Sequence, residues 1–139
     1  MAPPFEILEH TADIGFRAWG ATPAALFANS AWALMSISAD VSAVDGSEER
    51  SVTVGGHDYE SLLVNWLEEI LYLFDAAQFA AREFHVDEIA PTAVSGRLIG
   101  EPRDSARHPW KLIVKAITYH GIEVVERNGR WESRVFVDV

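Results

Sequence analysis

Ile122-Glu123-Val124-Val125-Glu126-Arg127-Asn128-Gly129-Arg130-Trp131 is the stretch on which the fold turns. Asn-Gly is the pair that most readily takes the two left-handed conformations of a type I′ turn, and that turn joins neighbouring antiparallel strands. Ile122 to Arg127 supplies one strand of the hairpin and Trp131 to Val139 the returning one. Val135, Val137 and Val139 alternate to the last residue, so the returning strand should stay paired to its end.

Upstream, Leu112, Val114, Ala116 and Thr118 alternate with Ile113, Lys115, Ile117 and Tyr119, which predicts a long strand broken at Gly121. Val94 to Ile99, ended by Gly100, reads as another, and Phe84 and Val86 suggest one before it. Ser51 to Val54 is a short strand closed by Gly55-Gly56, and Ile14, Phe16 and Ala18 alternate up to the turn at Gly20. Two helices interrupt the strands. Thr22-Pro23 pairs a capping hydroxyl with a first-turn proline and predicts a helix to about Ala39, with Leu26, Phe27, Ala31, Leu34 and Met35 on its apolar face. Asp58 caps a second, in which Tyr59, Leu62, Leu63, Trp66, Ile70 and Phe74 recur at helical spacing while Glu60, Glu68 and Glu69 form a solvated face. Asp40 to Ser47 and Glu101 to Pro109 read as polar loops. The sum is an α+β sandwich of about six or seven mostly antiparallel strands, with about two helices covering one sheet face. Residues 1–139 form a single domain.

A formal charge of −10 disfavours duplex nucleic acid or an anionic membrane as a direct partner and suits a basic protein or bound cations. Cysteine is absent, which removes disulfides, thiolate metal sites and cysteine nucleophiles together. With no secretory leader or apolar run of membrane-spanning length, the chain is expected to be cytoplasmic. No nucleophile motif, phosphate-binding glycine loop or nucleotide fingerprint occurs, so a non-enzyme is expected.

The candidate chemistry lies at the two ends of the sequence. Asp13 sits in the run His10-Thr11-Ala12-Asp13-Ile14-Gly15-Phe16 before an apolar strand, and Asp138 adjoins the terminal carboxylate of Val139. Two side-chain carboxylates and a main-chain terminus are hard oxygen ligands suited to Ca²⁺ or Mg²⁺, provided the first and last strands lie side by side. On the residues alone, Asp13 reads somewhat more readily as a turn or cap residue bonding nearby amides than as a metal ligand. His10, His108 and His120 fall at strand ends or in the polar loop and could converge around zinc. None has helical i, i+4 spacing to another, and each reads more readily as an orienting partner of a loop or carboxylate. Lys115 is either a solvent-facing strand residue or a charge partner for a carboxylate, a phosphate or an acidic protein. Glu101 and Asp104 could add oxygen ligands or solvate their loop. Trp66 and Trp110 read as core and rim packing, while Arg103, Arg107 and Lys111 form a local cationic patch that could touch RNA inside a complex.

These segments, taken in order, resemble the archease family: the run His10 to Phe16, Leu62 to Tyr72, Gly100-Glu101 with Asp104 and His108, Lys115-Ala116-Ile117-Thr118-Tyr119-His120, and Val135-Phe136-Val137-Asp138-Val139. The resemblance spans essentially the whole chain. It implies the archease fold and an accessory protein that activates the RtcB-type RNA-splicing ligase in tRNA splicing and RNA repair, promoting ligase guanylylation and multiple turnover. It also implies a calcium site, with Asp13, Asp138 and the terminal carboxylate of Val139 as ligands and Lys115 as a functional neighbour. Modulation of a tRNA methyltransferase is a second role associated with the family. A metal-dependent phosphoesterase built on Asp13, His10 and His120 stands as a contrasting reading. The segments Gln78 to Asp87 and Asp40 to Ser47 match the family only loosely.

Overall fold

In the computed structural model, which describes residues 3–9 and 13–139, Asn128 and Gly129 take φ of 54° and 76° and close the predicted two-residue hairpin. Ten elements follow one another: β1 (Phe5–Glu9), β2 (Ile14–Gly20), α1 (Pro23–Ser38), β3 (Glu48–Gly55), α2 (Tyr59–Asp75), β4 (Phe79–Ala90), β5 (Ala93–Pro102), β6 (Ala116–Ile117), β7 (Glu123–Arg127) and β8 (Arg130–Asp138). One sheet runs β1-β2-β8-β6, with β7 also on β8; the other runs β3-β5-β4. Every pairing is antiparallel.

Both helices begin as the sequence predicts. The Thr22 hydroxyl accepts the Ala25 N–H, and Asp58 accepts the Ser61 N–H in a reciprocal capping box. Their packing differs from expectation. Each helix contacts strands of both sheets, rather than covering a face of one. Buried positions on α1, from Leu26, Phe27 and Ser30 to Ile37 and Ser38, accordingly sweep roughly 200° of its circumference at 3.6 residues per turn, well beyond a single apolar stripe. At the centre Trp66 is fully buried, donates its indole N–H to the Phe27 carbonyl at 3.1 Å, and rests where Gly96 carries no side chain.

β1 has no counterpart in the sequence reading, and three further strands depart from it. β4 is far longer than the Phe84–Val86 signal, because register shifts between Ala81 and Glu83 and between Val86 and Glu88 break its two-residue period. β5 continues through Pro102, so Glu101 is a strand residue and not part of the loop. The long strand across Leu112 to Tyr119 shrinks to the two residues of β6. Upstream of it, the Lys111 N–H and ammonium bond the Ser38 and Ser36 carbonyls at 2.8 and 2.9 Å, tying that segment to the end of α1 instead of to a strand. Where β6 begins, Asp138 accepts the Lys115 N–H at 2.8 Å yet stands opposite Ala116, two residues against one in the manner of a bulge. The extra residue shifts the alternation by one. Val114 and Ile117 are both buried, whereas strict period two would put them on opposite faces.

Candidate cation-binding site

The register of β2 against β8 sets the site. Ile14 stands opposite Val137 in the last rung of the ladder, and Asp13 and Asp138 adjoin that rung on their two strands. Both line one surface cavity, where two carboxylates are the hard oxygen donors a divalent cation takes. On the other side of β8, β6 aligns Ala116 with Asp138 and brings Lys115 beside the end of the strand. A surface cavity of 560 Å³ is lined by Asp13, Thr118, His120, Phe136, Val137, Asp138 and Val139. One wall is the Phe136 ring, which lies over Gly15 and against Gly121. A Cβ at Gly15 would stand 2.2 Å from the Val135 carbonyl and 2.8 Å from that ring, so only glycine fits. Gly121 takes φ of 66°, turning the chain so that His120 stands 6.0 Å from Phe136, ring to ring.

The donor set fits a hard divalent cation. Asp13 and Asp138 have no ion pair among the described residues, and Lys115 is exposed and likewise unpaired among them. Among the described residues, the Thr118 hydroxyl, inside the cavity wall, is buried without a hydrogen-bond partner. Among the described residues no three His, Asp or Glu side chains cluster at metal-holding distance. Two side-chain carboxylates therefore need oxygen from the main chain of Val139, the Thr118 hydroxyl or water to complete a coordination shell.

Of the three histidines that could converge, the two described ones lie in separate places. His10 lies outside the described residues, as do Thr11 and Ala12 of the same run. His120 lines the cavity, but His108 is 1 % exposed and belongs to a separate network. Its Nδ1 accepts the Asp104 N–H at 2.9 Å, which assigns the proton to Nε2, and Nε2 donates to Glu101 Oε2 at 3.0 Å. That carboxylate also accepts the Asp45 N–H at 2.7 Å and pairs with Arg107. The Asp45 amide above all, then His108 and Arg107, hold the Glu101 carboxyl below the usual carboxylate range. Asp104 turns its own carboxylate onto the Ala106 N–H. Glu101, Asp104 and His108 thus meet one another, and none lines the cavity. The expected RNA-facing patch is consumed in the same way. Arg103 stacks on Phe74 and Trp110, Arg107 pairs with Asp45 and Glu101, and Lys111 bonds the last carbonyls of α1.

Comparison with known proteins agrees with this fold. Residues 5–139 match the model of the archease protein family. The chain belongs to the archease family. The archease of Methanosarcina barkeri is 36% identical over 97% of this chain and 95% of its own length, and that of Methanopyrus kandleri 39% identical over 98% and 99%. Among solved structures, protein 1598 of Methanobacterium thermoautotrophicum superposes with a TM-score of 0.81 at 31% identity, covering 99% of this chain and all of that one. A Thermotoga maritima protein described as an archease and possible chaperone shares the fold at a TM-score of 0.65 and 16% identity, covering 95% and 94% of the two chains. No helix among the described residues is long and apolar enough to cross a membrane.

One contact in this archease-family chain escaped the sequence reading. Glu68, assigned there to a solvated helix face, accepts the Ile117 N–H at 2.9 Å. No local signal in α2 marks it, because its partner lies in a strand 49 residues away.

Proposed function

We propose that this chain is an accessory protein that activates an RtcB-type RNA-splicing ligase. It would act through a divalent cation, Ca²⁺ or another hard ion, held by Asp13, Asp138 and the main-chain oxygens of Val139. Membership of the archease family supports the accessory role. The observation that supports the cation site is the β2–β8 pairing, whose last rung, Ile14 with Val137, adjoins Asp13 and Asp138, both of which line one cavity.

A cation there would supply a fixed positive charge for phosphate oxygens at the ligase's guanylate-binding centre. The remaining contributions come from the chain itself. Asp13 and Asp138 present carboxylate oxygens to the cavity they line. Lys115, whose N–H bonds Asp138, carries a compact, exposed ammonium suited to a phosphate or an acidic group. Ile113 and Tyr119, each 58 % exposed, and Val139 at 49 %, offer apolar area around the charged centre for protein contact. This reading assigns the chain no catalytic residue, and it places RNA binding in the ligase rather than here.

The test is multiple-turnover ligation of RNA ends by the cognate ligase with GTP and Mn²⁺ or Mg²⁺, run without this protein, with it, and with Asp13→Ala or Asp138→Ala. Strong stimulation that both variants lose is the expected result. Absence of stimulation by the intact protein overturns the ligase reading and leaves modulation of a tRNA methyltransferase. Hydrolysis of a phosphate ester by the protein alone would show the phosphoesterase reading to be correct.

A further inference from the structure

We infer that Glu68 is a positioning residue for the cation site, acting through β6; the inference rests on the cation reading above. β6 is two residues long and lies at the outer edge of the five-stranded sheet. Its bonds to β8 run from the Lys115 N–H to Asp138 and from the Thr118 N–H to the Phe136 carbonyl, at 2.8 and 3.0 Å. In an antiparallel pair the intervening amides point away from the partner strand. The Ile117 N–H is such an amide, directed at the open edge where a further strand would stand. Glu68 Oε1, from the third turn of α2, occupies that place. A carboxylate here substitutes for a neighbouring strand, and a charge-assisted bond to an amide is stronger than a neutral one.

So short a strand has little else to hold it. The residues it carries are those that frame the site. Ala116 stands opposite Asp138, the Lys115 amide fixes the Asp138 carbonyl, and Thr118 and His120 line the cavity. Glu68 itself is not among the lining residues, so its influence passes through the Ile117 amide. Groups that orient the ligands of a metal without touching it typically govern its affinity by tenfold or more.

The experiment compares Glu68→Ala with Glu68→Gln, because glutamine keeps the accepting oxygen and loses only the charge. Calcium binding is titrated calorimetrically, and exchange of the Lys115 and Thr118 amides is followed by NMR. Glu68→Ala should weaken calcium binding by about tenfold and speed both amides, while Glu68→Gln restores most of each. Unchanged affinity in Glu68→Ala overturns the inference. So does equal loss in both variants, which would make the negative charge, rather than the hydrogen bond, the operative property. If the intact protein binds no calcium, the cation reading fails by itself. Glu68 then stands or falls on the amides: faster exchange in Glu68→Ala and not in Glu68→Gln supports a positioning role, and unchanged exchange ends it.

Discussion

Two acidic centres in this chain contain the same chemical types and behave differently. Around Glu101, the carboxylate, the buried His108, Arg107 and the Asp45 amide satisfy one another, and each donor ends on an acceptor inside the molecule. Around Asp138, the carboxylates of Asp13 and Asp138 stand at the ends of two paired strands with no ion pair among the described residues. Beside them lie a Thr118 hydroxyl unpartnered among the described residues and an exposed Lys115. A saturated network of charges contributes to folding, since removing one member strands the others. Charges left open beside a cavity contribute little to folding and remain available to something outside the chain. The contrast separates residues that satisfy one another from residues left open at a cavity, although the sequence displays both as scattered Asp, Glu and His.

The sharpest way to break the contrast is His108→Ala. The Asp104 N–H and the Glu101 carboxylate would lose their bonds and a void would form, so stability should fall by about 3 kcal/mol, read by denaturant titration, with calcium affinity unchanged. Loss of calcium binding in that variant would mean the two centres are coupled. Asp138→Asn should do the reverse. Calcium affinity is expected to drop by roughly 30-fold, about 2 kcal/mol, while thermal stability without calcium stays unchanged.

Acid provides a subtler probe. The folded-state pKa of Glu101 is depressed, so its contribution is fully present above the unfolded value of about 4.3 and is lost as pH falls through the lower folded value. Melting curves between neutral and strongly acidic pH should show a decline at the acid end that Glu101→Gln partly removes, the variant being less stable than the parent only above that window. Smallest in stability is Lys115→Ala, which should shift the unfolding free energy by under about 0.5 kcal/mol yet reduce ligase stimulation several-fold. A large stability loss there would move Lys115 into the saturated class.

Much of the frame could be read in advance, because its signals are local. Thr22-Pro23, Asp58 with Ser61, and Asn128-Gly129 each specify a cap or turn through neighbouring atoms, and the structure follows them. That the last strand stays paired nearly to its end was legible for another reason: Val135, Val137 and Val139 alternate cleanly, and the ladder to β2 runs out to Val137. What escaped depends on distant partners. Alternation from Leu112 to Tyr119 reads as one strand, but nothing nearby discloses that Lys111 binds the end of α1 or that the bulge at Asp138 shifts the register. Glu68 and His108 have the same opacity. A surface glutamate and a loop histidine acquire their roles only when segments far away in the chain arrive beside them.

That the site straddles β2 and β8 has a consequence for the order of events. Asp13 lies near one end of the sequence and Asp138 near the other, so neither the nascent chain nor a partly folded one holds both carboxylates together. Closing so long a loop is the entropically costly step, and it precedes any benefit from the ion. A cation caught there is therefore a receipt for completed folding. An ion-dependent activity would be withheld from every molecule whose terminal segments have yet to meet.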